Sequence, residues 1–413
     1  MTDMDNHNIK PVLIAIDIAK QSHDALICWP SGKTKAVKFT NTLTGYQQLL
    51  EATCTRDESI YVAFEATADF HRNIAYWLQA HGAQCYLVSS LASARAREML
   101  FKTWDKHDRK DAHVILYLMQ QGLMQPFYDP LVMGTMDIQE LSNTYHQISL
   151  ARTRCQHSLV NHYLTLYFPE MERYLHNSRA EWFCRFLLKY PTPTSITRHK
   201  QATFVKHAWE LVGRKVAKQR FLDELYETAT TSIAIPIDPG SLAVSTFKLQ
   251  LERYLALTLQ RSELERISEN FLSERDDYRH LRTLPGVGPI NALMIIAESG
   301  DLRRFRHYRQ YLNFCGFNLS AVQSGRQKSS CHLSKRGNAR LRYAYWLAAV
   351  SATRQRENSF RYKYERYIRK DPNNADLKRK ARVAVASKMA RVAHALVKQD
   401  IDYRGFYEFG HGT

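Results

Sequence analysis

Two groups of residues in this 413-residue chain are suited to phosphodiester chemistry. One is a carboxylate set, Asp17, Glu65, Asp108 and Asp111, near the N-terminus. The other is the step Ser324-Gly325, inside QSGRQKSS, with Ser320, Ser329 and Ser330 close by in sequence. Carboxylate oxygens suit hard divalent cations such as Mg²⁺ or Mn²⁺. Two such ions about 4 Å apart can steady the attacking and leaving oxygens of an in-line displacement. Asp17 follows the apolar run VLIAI. Glu65 closes VAFE, where a strand would otherwise be buried. Asp108 and Asp111 are three apart at a helix start, so they share a face. Taken singly, each Asp reads first as a helix cap or a surface charge, and Asp105 competes with Asp108.

A serine hydroxyl is a weak nucleophile and needs a base or a metal beside it. No Gly-x-Ser-x-Gly elbow is present, so acyl transfer is unsupported. Arg326, Lys328, Lys335 and Arg336 flank Ser324 and can hold a phosphate and the charge that grows on it. On composition alone the loop reads first as a phosphate-binding loop, with a nucleophilic Ser324 as the alternative.

The charge distribution points to a polyanion. The chain carries a formal net charge of +18, and residues 301–413 hold 25 Lys/Arg against 8 Asp/Glu. Each neutralised phosphate releases counterions, so this concentration of charge favours a nucleic acid. The seven cysteines form no CxxC pair and no zinc spacing, which points to a reducing setting. The polar start MTDMDNHNIK has no signal-peptide core. No apolar run approaches the roughly 20 residues that a membrane span needs. We expect a soluble, cytoplasmic protein.

Three regions must position these residues. Residues 1–130 read as α/β: strands at VLIAIDIA, DALICW, AVKF, YVAFEA and CYLVSS, and helices over about 44–53, 67–81, 91–100 and 110–122. That order fits a ribonuclease-H-like fold. Residues 131–275 read as two arms of a long helical hairpin. Ile138, Leu141, Tyr145, Ile148, Cys155 and Leu159 follow three-four spacing with a break at Arg152; Leu257, Leu264, Ile267 and Phe271 resume it past Gln260. Between the arms, about 180–240, lies a helical insertion punctuated by Pro191, Pro193, Pro236 and Pro239. Residues 276–413 begin with LRTLPGVGPINALMIIAESG, read as helix, tight turn, helix. Gly286 and Gly288 lie in the turn, placed to offer backbone N–H groups to a phosphate.

The ordered motifs resemble a known family. AIDIAK, FEATADF and DKHDRKDAHVI, then LPGVGPINALMIIAESGDLRRF, YLNFCGFNLSAVQSG and LSKRGNARLR, are similar to the DEDD-type insertion-sequence transposases of the insertion-sequence-110 family. The resemblance spans nearly the whole chain. It implies a RuvC-like domain with metal-holding carboxylates at Asp17, Glu65, Asp108 and Asp111, a coiled-coil arm, and a mainly helical C-terminal domain with a helix-hairpin-helix. It implies a nucleophilic serine at Ser324, donor and target DNA as substrates, and a noncoding bridge RNA that guides recombination. It further implies a site shared between protomers of a dimer that assembles to a tetramer. Two features depart from the pattern: the 180–240 region is long, and Asn-Leu-Ser stands where many members carry Thr-Pro. A junction-type nuclease using water, and a noncatalytic nucleic-acid-binding protein, are the competing readings.

Overall fold

The computed structural model describes residues 11–53, 58–101, 108–129, 131, 133–177, 181–213, 216–320, 323–324, 327–328, 332–334, 336–356 and 358–404. Side chains at 108–109, 175–177, 320, 323–324, 327–328 and 332 are outside the description as well. The chain divides into two compact units, Met1–Met136 and Asp137–Thr413.

The first unit is a mixed sheet with helices on both faces. Its strands are β1 (Val12–Asp17), β2 (Ser22–Cys28), β3 (Thr34–Thr40), β4 (Ile60–Glu65), β5 (Gln84–Val88) and β6 (Gln125–Pro126), interleaved with α1 (Leu43–Thr53), α2 (Phe70–Ala80), α3 (Ser90–Phe101) and α4 (Asp108–Gln120). The sheet order is β3-β2-β1-β4-β5-β6. β1 pairs antiparallel with β2 and parallel with β4, β4 pairs parallel with β5, and β6 closes the edge antiparallel to β5. This is the order expected of a ribonuclease-H-like or RuvC-like domain. Central strands are covered on both faces, which is why VLIAI and VAF are continuously apolar. Val12, Ile14, Ile16, Val62 and Phe64 pack with Leu49, Ile74 and Leu78 of α1 and α2. On the other face Ala15 and Ala63 lie in one cluster with Ala112, Ile115, Leu116 and Met119 of α4. Those two alanines let α4 approach the sheet closely. The strand signal at 12–19 runs two residues too far, and β6 has no signal at all: two residues ending in a proline show no alternation.

The second unit is helical. α5 (Met136–Ser158) begins it, followed by an irregular helical stretch that includes α6 (Thr165–Tyr167). Next come α7 (Glu181–Lys189), α8 (Pro193–Thr197), α9 (Gln201–Ala208), α10 (Lys218–Thr230) and the 31-residue α11 (Leu242–Leu272). Arg152 and Gln260 break the apolar spacing without breaking either helix. Arg152 donates to Tyr254 Oη (2.7 Å) and Thr258 Oγ1 (3.0 Å), so a charged residue cross-links α5 to α11. Tyr145 bonds Glu265 at 3.0 Å, and Cys155 meets the Gln250 carbonyl. Rising numbers on α5 meet falling numbers on α11, so the two helices are antiparallel. The 180–240 insertion has its own aromatic core of Phe183, Phe186, Tyr190, Phe204 and Phe221, completed by Phe247 and Tyr254 of α11.

The remainder comprises α12 (Asp276–Thr283), α13 (Pro289–Ser299), α14 (Tyr308–Cys315), short strands β7 (Leu319–Ser320), β8 (Gln323–Ser324), β9 (Gln327–Lys328) and β10 (His332–Leu333), then α15 (Ala339–Ala352), α16 (Ser359–Ile368) and α17 (Ala375–Gln399). Ala344, Ala348, Ala349 and Ala352 of α15 and Ala386, Ala390 and Ala393 of α17 are fully buried. Small side chains bring these helices close together, and Leu293, Ile295 and Met389 fill the remaining core. No helix among the described residues is long and apolar enough to cross a membrane.

Candidate active site and nucleic-acid interface

Register brings two of the carboxylates together. Ile16 is the parallel partner of Phe64, so the next residues, Asp17 and Glu65, end adjacent strands at the same edge of the sheet. Side chains alternate along a strand, so both carboxylates share the face of Ala15 and Ala63, on which α4 packs. Both are half-buried. Asp17 also lies opposite Asp24 of β2.

Asp111 stands in the first turn of α4 and is only 4% exposed. Arg97 of α3 donates to its Oδ1 through both Nε (2.7 Å) and Nη2 (2.6 Å). A buried carboxylate needs such a partner, because an unpaired charge of this kind is strongly destabilising. No motif marked Arg97; the signal in retrospect is its place among the small residues of SARAREM, on a helix beside α4. The backbone of Asp108 opens α4, and its side chain lies outside the described residues, as does Asp105. Among the described residues no group of three or more His, Cys, Asp or Glu side chains is gathered as a metal site. The donor atoms of the set are nonetheless all carboxylate oxygens, which suit a hard divalent cation. Asp111 already holds one cationic group, the Arg97 guanidinium.

Ser324 lies on an excursion between α14 and α15. Its inner ladder pairs β7 with β10, Leu319 opposite Leu333; its outer ladder pairs β8 with β9, Ser324 opposite Gln327. Only Gly325 and Arg326 separate Ser324 from Gln327, and these two, with Ser329, Ser330 and Lys335, lie outside the described residues. Only the backbone of Lys328 is described, in β9; Arg336 is exposed.

The root of the excursion is firmly fixed. Gly316 ends α14 at φ +74°, where a side chain would run into the Arg336 carbonyl and the Arg342 guanidinium. Asn338 caps α15 through Leu341 N–H (3.0 Å), donates its own N–H to the Phe314 carbonyl (2.7 Å), and donates its side-chain amide to Glu298 (2.7 Å). Arg340 pairs with the same Glu298 at 3.0 Å. Beneath, a buried hydroxyl chain runs Ser299–Tyr311–Tyr345 at 2.9 and 2.8 Å. Burial pushes both phenols well above their ordinary range. Sequence reading missed this network because its members come from three helices, α13, α14 and α15, with no spacing in common.

The two turn glycines differ. Gly286 is buried at φ +83°, against the backbone of Ala348 and Ala352. Gly288 caps α13 at φ −83° with open space around it. It lines a cleft of about 810 Å³ with Tyr145, Arg261, Glu265, Asn291 and Tyr343. The five cysteines described are all buried; burial lifts the thiols of Cys85 and Cys184 to about 12, so neither is a ready nucleophile.

Comparison with known proteins agrees with this layout. Residues 14–169 match a transposase family model of the DEDD type, and residues 278–365 match the transposase IS116/IS110/IS902 family. The insertion element IS116 44.8 kDa protein of Streptomyces clavuligerus is 26% identical over 83% of this chain and 84% of its own length. The insertion element IS110 43.6 kDa protein of Streptomyces coelicolor is 22% identical over 82% and 84%. The transposase for insertion sequence element IS1111A of Coxiella burnetii is 30% identical over 31% of this chain and 35% of its own. The carboxylate-bearing mixed sheet, the helical C-terminal region and both family matches lead to one conclusion: the chain belongs to the IS110 family of DEDD transposases.

Proposed function

We propose that this transposase excises and integrates its element by cutting and rejoining DNA through a covalent bond to Ser324. The observation that carries the reading is the shared edge and face of Asp17 and Glu65, in a chain that also presents Ser324 on a braced excursion. Asp17, Glu65, Asp108 and Asp111 would hold Mg²⁺ or Mn²⁺. When bound, the metal supplies positive charge for the oxygens of the scissile phosphate. Ser324 Oγ attacks phosphorus. The serine O–H proton leaves with the displaced sugar oxygen as a hydroxyl, and one phosphodiester replaces another. Because ester bonds are conserved, the reverse step rejoins DNA without a nucleotide cofactor. Arg326, Lys328, Lys335 and Arg336 hold the phosphate, and Gly288 at the N-terminus of α13 takes a neighbouring one.

The finer features follow the family resemblance. α5 and α11 form the coiled-coil arm. α12 and α13 form a helix-hairpin-helix. A noncoding bridge RNA pairs with donor and target DNA. The carboxylates of one protomer meet the serine of another, which requires a dimer, and exchange between two DNAs a tetramer. Ser324→Ala is expected to remove cleavage by several orders of magnitude with DNA binding intact, whereas Ser320→Ala, Ser329→Ala and Ser330→Ala retain it. A phosphate-contacting serine would lose only about tenfold, since one neutral hydrogen bond contributes about 0.5–1.5 kcal/mol. Ser324→Ala protein that still nicks DNA in Mg²⁺ would establish the water-using nuclease instead. Recombination by RNA-free protein on defined DNA would remove the bridge RNA from the account.

A further inference from the structure

The last two helices carry a group of cations that the proposed chemistry does not use. Between Asp376 and Asp400 the chain has no acidic residue, so most of α17 contains no carboxylate. Lys388 and Arg391 are three apart on it and share a face. Lys388 Nζ sits 5.5 Å from the ring centre of Phe360, a fully buried residue of α16. Lys363 lies three residues beyond Phe360 on the same side of α16, so it faces the same neighbourhood. Arg391 closes the group against α14, its guanidinium 5.7 Å from the Tyr308 ring centre.

Among the described residues Lys363, Lys388 and Arg391 make no ion pair. Glu365, the acidic residue of α16, is held by Arg361 at 2.6 Å, and Asp376, that of α17, by Arg379 at 3.1 Å. Both lysines are half-buried. Burial first, then the neighbouring cations, holds both ammonium groups below the ordinary lysine range. A solvated basic face would leave lysines exposed and spread apart. Here the fold draws Lys388 over the Phe360 ring and half-buries both lysines, and that burial disfavours their charged forms.

We infer that Lys363, Lys388 and Arg391 form a phosphate clamp for a DNA backbone, a contact separate from the loop around Ser324. DNA is the occupant because Arg391 of the clamp packs on Tyr308 of α14, the helix from which the Ser324 excursion leaves. The inference rests on the chain acting on DNA and is independent of the serine chemistry, because it is read by binding and not by cleavage.

The test uses full-length Lys363→Met and Lys388→Met, with Lys388→Arg as the charge-preserving control. Three readouts are needed: the melting temperature, affinity for a labelled duplex of mixed sequence across a salt series, and affinity for a labelled RNA stem-loop. Each Met variant is expected to melt higher than wild type, because a repelled, half-buried charge is gone. Each should also bind duplex several-fold more weakly, with the log-log salt slope shallower by about 1, irrespective of sequence. Lys388→Arg should bind as wild type. Unchanged duplex affinity overturns the clamp. A lower melting temperature with weaker binding overturns it in favour of a structural role, and a loss confined to RNA overturns DNA as the occupant. A Met variant that loses duplex affinity and still forms the Ser324 adduct at saturating DNA would leave both proposals standing; loss of the adduct in Ser324→Ala with intact binding bears on the chemistry alone.

Discussion

Gly286→Ala isolates what the LPGVG turn is for. At φ +83° an alanine sits in the left-handed region, which costs about 1–2 kcal/mol. Its Cβ would press on the Ala348 carbonyl and lie 2.5 Å from Ala352 N and 2.9 Å from Ala352 Cβ. Two of those three atoms belong to the backbone of α15 and cannot swing away, so overpacking adds about 1–3 kcal/mol. The sum is about 2–5 kcal/mol, which for a unit of this size lowers the melting temperature by roughly 5–15 °C. Gly288→Ala is the control. At φ −83° with nothing within 4 Å, it loses only the N-cap preference, about 1 kcal/mol or less. The assay is thermal and urea unfolding of both full-length variants, followed on the transition of the helical unit, with duplex binding measured below it. Gly286→Ala is expected to lose stability and keep DNA binding while folded. Gly286→Ala protein as stable as wild type but deficient in DNA binding would refute the packing argument and make that glycine a phosphate contact.

Other outcomes follow from the first unit. Arg97→Gln leaves Asp111 without its cation. With Arg97 21% exposed, we expect a loss of about 2–4 kcal/mol in EDTA, part of which Mg²⁺ restores if Asp111 is a ligand. A melting temperature indifferent to Mg²⁺ would make the pair purely structural. His23 and His71 are buried, and burial holds both imidazoles below the ordinary histidine range against the upward pull of neighbouring groups. The unfolded chain therefore binds protons first. Stability should fall on acidification from about pH 7 to about pH 5, and His23→Gln with His71→Gln should flatten the dependence. Asp17→Asn and Glu65→Gln should each abolish strand cleavage in a gel assay while duplex affinity stays within about threefold, since the basic surface that binds phosphates is untouched.

The first unit was legible in sequence because its signals are local and strong. VLIAI and VAF are apolar on both faces, as central strands must be, and Ser31-Gly32 turns the β2–β3 hairpin with Gly32 at φ +82°. The edge shared by Asp17 and Glu65 follows from strand order and register. Arg97 was invisible, because an ion pair between two helices leaves no spacing pattern. Arg152 was misleading: a charge in an apolar stripe reads as a break, yet here it bonds across to Tyr254 and Thr258. The brace under Ser324 was hidden for a related reason. Asn338, Glu298 and Tyr311 come together only after α13, α14 and α15 have packed, and a single polar residue on each helix carries no signal of its partner.

The proposed chemistry depends on a bond between Ser324 and DNA. The direct measurement is to let full-length protein react with labelled element-end DNA, its guide RNA and Mg²⁺, quench in detergent, digest, and locate the modified residue by mass spectrometry. A nucleotide joined through phosphate to Ser324, absent in Ser324→Ala, is expected. Cut DNA with no protein adduct, its new phosphate carrying oxygen from labelled water, would contradict it.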